Sequence, residues 1–242
     1  MKKRMLGIIL ALVSVFVCSA ITHASEVDSG LCGNQLTWTL DSNGVLTISG
    51  TGAMENYKFD SGVYAPWYSY RDSIVAAVME DGVTTIGNSA FYNCSNLASV
   101  TIPESVTVIE WGAFHSCAGL MSVTIPDGVT SIGAVAFFGC SSLPTVTLPD
   151  SVSTIGNSAF RRCNSLTSVT IPESVTAMGD YVFQDCSTLS EVTFEGGAPA
   201  IGNNAFKNIT ATVYYPDNNE TWTANVKQNY GGDLAWVALP ET

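Results

Sequence analysis

The sequence predicts a solenoid: stacked 23-residue coils, each of two short strands and one helical turn, closed by an N-terminal β-hairpin cap and a C-terminal cap. Three observations predict it. SVTIPESVT stands at residues 99–107 and again, letter for letter, at 168–176, with the near copy SVTIPDGVT at 122–130. Phe91, Phe114, Phe137, Phe160, Phe183 and Phe206 are 23 apart, as are Cys94, Cys117, Cys140, Cys163 and Cys186. Pro103, Pro126, Pro149 and Pro172 keep the same step, and so do Leu97, Leu120, Leu143, Leu166 and Leu189.

From the N-terminus, Lys2, Lys3 and Arg4 precede an apolar run at 5–17 and small residues ending Thr22-His23-Ala24. That order marks residues 1–24 as a secretory signal peptide, with an apolar run too short to span a bilayer. Its removal takes the formal net charge from −12 to −15, so the mature chain suits neither nucleic acid nor anionic membrane surfaces. An exported acidic protein is expected, with no membrane insertion after cleavage. Residues 25–77 read as a β-rich cap: Leu36-Thr37-Trp38-Thr39-Leu40 and Val45-Leu46-Thr47-Ile48 flank an Asn-Gly turn. The coils, about six, occupy 78–209, and a second cap with Trp222, Tyr230 and Trp236 fills 210–242.

Within one coil, Val123 and Ile125 alternate with Ser122 and Thr124 as a half-buried strand. Pro126 ends it by removing a backbone donor, and Asp127-Gly128 turns the chain. Residues 129–133 form a second extended piece; Ala136, Phe137 and Cys140 then have the spacing of one helical turn. Asn88, Asn157, Asp180 and Asn203 follow the glycines where an N-cap is expected. One coil cannot bury its apolar side chains, but stacked coils can.

The unit L-x-x-V-x-I-P-x-x-V-x-x-I-G-x-x-A-F-x-x-C over about 78–206 resembles the BspA-type, or Treponema pallidum-type, leucine-rich repeat. That resemblance implies a leucine-rich-repeat solenoid in a secreted or surface bacterial protein; some such proteins are adhesins for host matrix proteins. The chain departs from the ordinary leucine-rich pattern at Ser105, Gly128, Ser151 and Ser174, where an asparagine ladder would stand.

Chemistry-bearing groups are sparse. After signal cleavage His115 is the one histidine, which leaves no histidine-based triad and no multi-histidine metal centre. No phosphate-binding or dinucleotide motif is present, so no enzyme and no cofactor are expected. Export is compatible with disulfides along the cysteine column, but its in-phase spacing with Phe favours buried free thiols; Cys32 has no evident partner. Asp81, Glu104, Asp127, Asp150 and Glu173 stand 23 apart after the first strand. They read as solvated turn residues, and they are also where weak calcium binding would occur. The threonine columns are what an exposed strand face selects.

One column does not repeat. After each Phe come Tyr92, His115, Phe138, Arg161, Gln184 and Lys207, a set expected to point outward, His115 as a plain surface residue. Trp111 stands where four other coils have Asn or Asp. Exposed Trp, Tyr and Arg carry binding energy at interfaces, while drift on a tolerant surface gives the same variety. The expected function is non-catalytic recognition of an extracellular protein or glycan, the alternatives being a passive spacer or a cation-dependent assembly module. The terminus Leu239-Pro240-Glu241-Thr242 matches the start of a sortase signal without its remainder.

Overall fold

A computed structural model of the chain describes residues 24–240. The expected signal peptide lies outside the described residues save Ala24, as do Glu241 and Thr242 of the terminal motif.

The 23-residue step is the register of a parallel sheet. Ala76–Met79, Ser99–Thr101 and Ser122–Val123 pair with Ala76 opposite Ser99 and Ser99 opposite Ser122. A Thr124–Thr147 bridge leads to Thr145–Val146, Ser168–Ile171 and Glu191–Phe194, and Thr210–Pro216 and Asp233–Leu239 complete the face. At the other end the hairpin strands Glu26–Gly33, Leu36–Asp41 and Val45–Gly50 are antiparallel among themselves, and the third pairs in parallel with Ala76–Met79. A second parallel sheet of seven strands runs from Gly52–Ala53 to Ala200–Ile201. It brings Ile86, Ile109, Ile132, Ile155 and Met178 into one column.

The third face holds the expected helical turn in a tighter form. Ala90, Tyr92 and Cys94 donate their N–H groups three residues back, to Gly87, Ser89 and Phe91. The intervening Ser89, Phe91 and Asn93 donate across to Trp111, Ala113 and His115 of the next coil. Ser89 and Asn93 have φ of 54° and 58°, and every later coil repeats left-handed residues at those two positions. A left-handed residue interrupts an α-helix and turns alternate N–H groups toward the neighbour. The result is a third ladder of backbone hydrogen bonds between coils.

This geometry corrects the expected N-caps. Asn157 Oδ1 accepts from Asp180 N–H at 2.8 Å, and Asp180 Oδ1 from Asn203 N–H at 2.6 Å. The side chains bridge coils because the nearest free N–H lies in the next rung, not in a helix of their own. Where the ordinary leucine-rich pattern puts asparagine, the hydroxyls of Ser105, Ser151 and Ser174 donate to Val83, Val129 and Val152 carbonyls at 2.8, 2.6 and 2.7 Å.

Inside, the phenylalanine column is one stack. Successive ring centroids from Phe91 to Phe206 lie 5.1, 5.2, 5.3, 5.6 and 5.8 Å apart, every ring fully buried. Each such burial contributes about 1.5–3 kcal/mol. Trp67 closes one end of the stack, 5.8 Å from Phe91, with its Nε1–H on the Ala90 carbonyl at 2.8 Å. Tyr230 closes the other end edge-on, 6.3 Å from Phe206. The six cysteines among the described residues are free and buried. The thiols of Cys117, Cys140, Cys163 and Cys186 donate to the carbonyls of Phe91, Phe114, Phe137 and Phe160 at 3.0–3.3 Å. Burial raises the pKa of Cys94, Cys140 and Cys186 to about 12, and burial with the nearby Glu55 charge does the same to Cys32.

Candidate functional site

On the turn face each buried Phe is followed by a residue on the opposite side of the chain, so the variable column runs along the outside of the third ladder. Four of its members join a continuous ribbon of rings. The Phe138 ring stacks on the His115 imidazole with centroids 4.7 Å apart. His115 in turn lies 5.4 Å from Tyr92. At the far end the guanidinium carbons of Arg161 and Arg162 each sit 5.7 Å from the Phe138 centroid, within cation–π range. Asp185 lies 3.7 Å from both arginines and holds them over that ring.

The ribbon continues into the N-terminal cap through residues that carry no repeat signal. Phe59, in a short 3-10 turn at Phe59–Ser61, stacks on Tyr92 at 4.0 Å and on Trp111 at 5.3 Å. It also lies 5.4 Å from His115. Tyr68 reaches Tyr92 at 6.2 Å and stacks on Tyr64 at 4.0 Å. Reciprocal backbone bonds between Lys58 and Val63, at 2.8 and 3.0 Å, pin the loop that carries Phe59. Phe59 and Tyr68 escape sequence reasoning because contact with coils 24 to 56 residues away has no local pattern, and Tyr64 joins the ribbon through Tyr68.

Two expectations for this column need correction. Gln184 is buried, 6% exposed, because a side chain in a ladder is flanked by its neighbours one rung up and down, here Arg161 and Lys207. His115 is half-buried inside the ribbon and not a plain surface residue. Burial lowers its pKa, and its Nδ1 lies 2.9 Å from the Ser116 hydroxyl. Lys207 is half-buried beyond Gln184, separated by it from the aromatic part of the column, and Trp111 is 36% exposed at the ribbon's edge.

The acidic column Asp81, Glu104, Asp127, Asp150 and Glu173 is solvent-exposed on a different edge. Among the described residues no three or more His, Cys, Asp or Glu side chains group in a way that could hold a metal ion. Threonines just before the second strand, such as Thr107 and Thr130, donate their hydroxyls to the carbonyls of Thr84 and Thr107, both at 3.3 Å, and so belong to the ladder.

A family model described as BspA type Leucine rich repeat region matches in six copies, over residues 65–123 and 108–229. Among solved structures, a leucine-rich repeat protein of T. pallidum shares 29% identity at a TM-score of 0.56, over 73% of this chain and 87% of that one. A leucine-rich repeat protein of Eubacterium ventriosum shares 20% identity over 88% and 85%, with a TM-score of 0.42. A leucine rich cell surface protein of Faecalibacterium prausnitzii shares 22% over 77% and 76%, with a TM-score of 0.35. No curated protein matches the chain.

Proposed function

From the premise that this chain belongs to the BspA-type leucine-rich repeat family, we propose that it is a non-catalytic binding protein acting outside the cell, which recognises an extracellular protein or glycan through the ribbon on its turn face. A repeat solenoid of this class is an interaction module. No helix among the described residues is long and apolar enough to cross a membrane.

One observation carries the proposal: a column whose side chain changes in every coil assembles Tyr92, His115, Phe138 and Arg161, with Phe59 and Trp111, into one contiguous aromatic and cationic strip. Clustered aromatic and Arg side chains are the residues that dominate interface energetics. The strip needs none of the buried Phe stack for its exposed faces, so it can be altered without emptying the core.

The test is binding of the mature chain, residues 25–242, to immobilised host extracellular-matrix proteins and glycans, beside a Trp111→Ala, Phe138→Ala, Arg161→Ala triple variant. Retained folding with binding weakened about a hundredfold supports the ribbon. Equal binding by both proteins assigns any interaction to another face, and no binding by either supports a passive spacer.

A further inference from the structure

The coils are held close by a column of glycines, and one position breaks it. A Cβ on Gly87, Gly133, Gly156, Gly179 or Gly202 would come within 2.1–2.6 Å of the backbone or side chain of the preceding coil. Between Gly87 and Gly133 the same column holds Glu110, followed by Trp111. Glu110 keeps the backbone register all the same, donating its N–H to the Ile86 carbonyl at 3.0 Å, and what changes at this rung is the side chain that follows it.

The side-chain ladder opens at the same place. Asn56 Oδ1 accepts from Asn88 N–H at 2.7 Å, and the bonds resume at Asn157 and Asp180. In between, Asn88 Oδ1 is buried without any hydrogen-bond partner, and no bond joins it to Trp111 N–H. An amide oxygen left this way is destabilising until a donor reaches it. The buried Tyr57 hydroxyl beside it also has no partner. Asn88, Tyr57 and Trp111 together with Lys58, Asp60 and Ser61 line a cleft of about 360 Å³ at the junction of cap and coils. Clefts of roughly 300–1,000 Å³ accommodate small ligands or one unit of a larger one.

We propose that this cleft is a subsite for a single neutral sugar ring. The proposal rests on the reading of the chain as an extracellular binding protein and names a ligand class for one end of its ribbon. The lining sets the chemistry. Trp111 offers an exposed ring for the C–H face of a pyranose. The Asn88 oxygen requires a donor and the Tyr57 hydroxyl takes either role, and vicinal sugar hydroxyls supply both. Lys58 and Asp60 put one charge of each sign at the wall, which favours an uncharged polar ligand over an anion or a cation.

The probes are methyl β-glucoside, methyl β-galactoside, methyl α-mannoside and N-acetylglucosamine, followed by saturation-transfer NMR and tryptophan fluorescence on the mature chain. At least one is expected to bind saturably, with affinity reduced about tenfold or more in Asn88→Ala, the effect of losing one buried hydrogen bond. Tyr57→Phe is the second variant: it removes a hydroxyl that has no partner, leaves the ring in the core, and is expected to weaken sugar binding about tenfold. The proposal falls if no probe saturates, if binding survives both Asn88→Ala and Tyr57→Phe, or if N-acetylglycine methylamide binds as well as the sugars, which assigns the cleft to peptide. Absence of saturable sugar binding by the unaltered chain, with ribbon-dependent partner binding intact, overturns the cleft only; the reverse result overturns the ribbon only.

Discussion

Replacing Phe137 by alanine removes the middle ring of the stack. Phe137 is fully buried, with its neighbours Phe114 and Phe160 at 5.2 and 5.3 Å. Deleting a buried Phe costs about 3–5 kcal/mol, of which two lost ring pairs account for about 1–3. The cavity cannot collapse easily, because the backbone on either side is held to adjacent coils by Phe114 N–H on Ala136 and Phe137 N–H on Ala159, both at 2.8 Å. The upper half of the range is therefore expected. Phe137→Leu keeps most of the volume and loses the ring pairs, for about 1–2 kcal/mol. For a domain of this size the alanine variant should melt about 8–20 °C lower, and urea titration should show the same loss at unchanged m-value. Coupling with Phe114→Ala should be non-additive by about 0.5–1.5 kcal/mol, and with the distant Trp222→Ala close to zero. A Phe137→Ala loss below about 1 kcal/mol, well under the usual range of about 3–5 for truncating a buried Phe, would refute the stacked-rung account.

Four further outcomes follow from the same geometry. Burial lowers the His115 pKa from 6.5, so protonation favours the unfolded chain: stability is full above that value and falls as pH drops through it, and His115→Asn should flatten thermal melts between pH 7 and 5. Iodoacetamide should leave Cys94, Cys140 and Cys186 unmodified in the native protein and label them after urea unfolding, since thiols with pKa near 12 carry little thiolate. Val135 is β-branched at φ 51°, and Val135→Asn should raise stability by about 1 kcal/mol in the same urea titration. If the ridge of Asp81, Glu104, Asp127, Asp150 and Glu173 binds calcium, titration to millimolar concentration raises the melting temperature, and Asp127→Asn with Asp150→Asn removes the rise; a flat titration disposes of the cation-dependent alternative.

Much of the architecture was legible without coordinates because it is periodic. Val100, Val123 and Val146 mark one strand face, the Phe and Cys columns mark the interior, and the invariant step dictates in-register pairing once coils stack. The turn face was legible in position but not in form. Left-handed residues as unlike as Ser89, Val135 and Tyr181 have no shared letter to announce that three N–H groups per coil turn to the next one. The expected N-caps failed for that reason, since what Asn157 and Asp180 find depends on the next rung.

The chain alone thus determines the repeat, the rung spacing, the apolar interior and the buried thiols, because each is a side-chain preference applied once per coil. Tertiary structure decided which surface groups meet. Phe59 reaches Tyr92 and Trp111 only after the cap folds back, Gln184 disappears between longer neighbours, and the need for glycine at Gly133, Gly156 and Gly179 appears only when a second backbone is brought against them. The physical reason is that burial within a coil is set by local alternation, whereas a site shared between coils and cap is set by distances that no local pattern encodes.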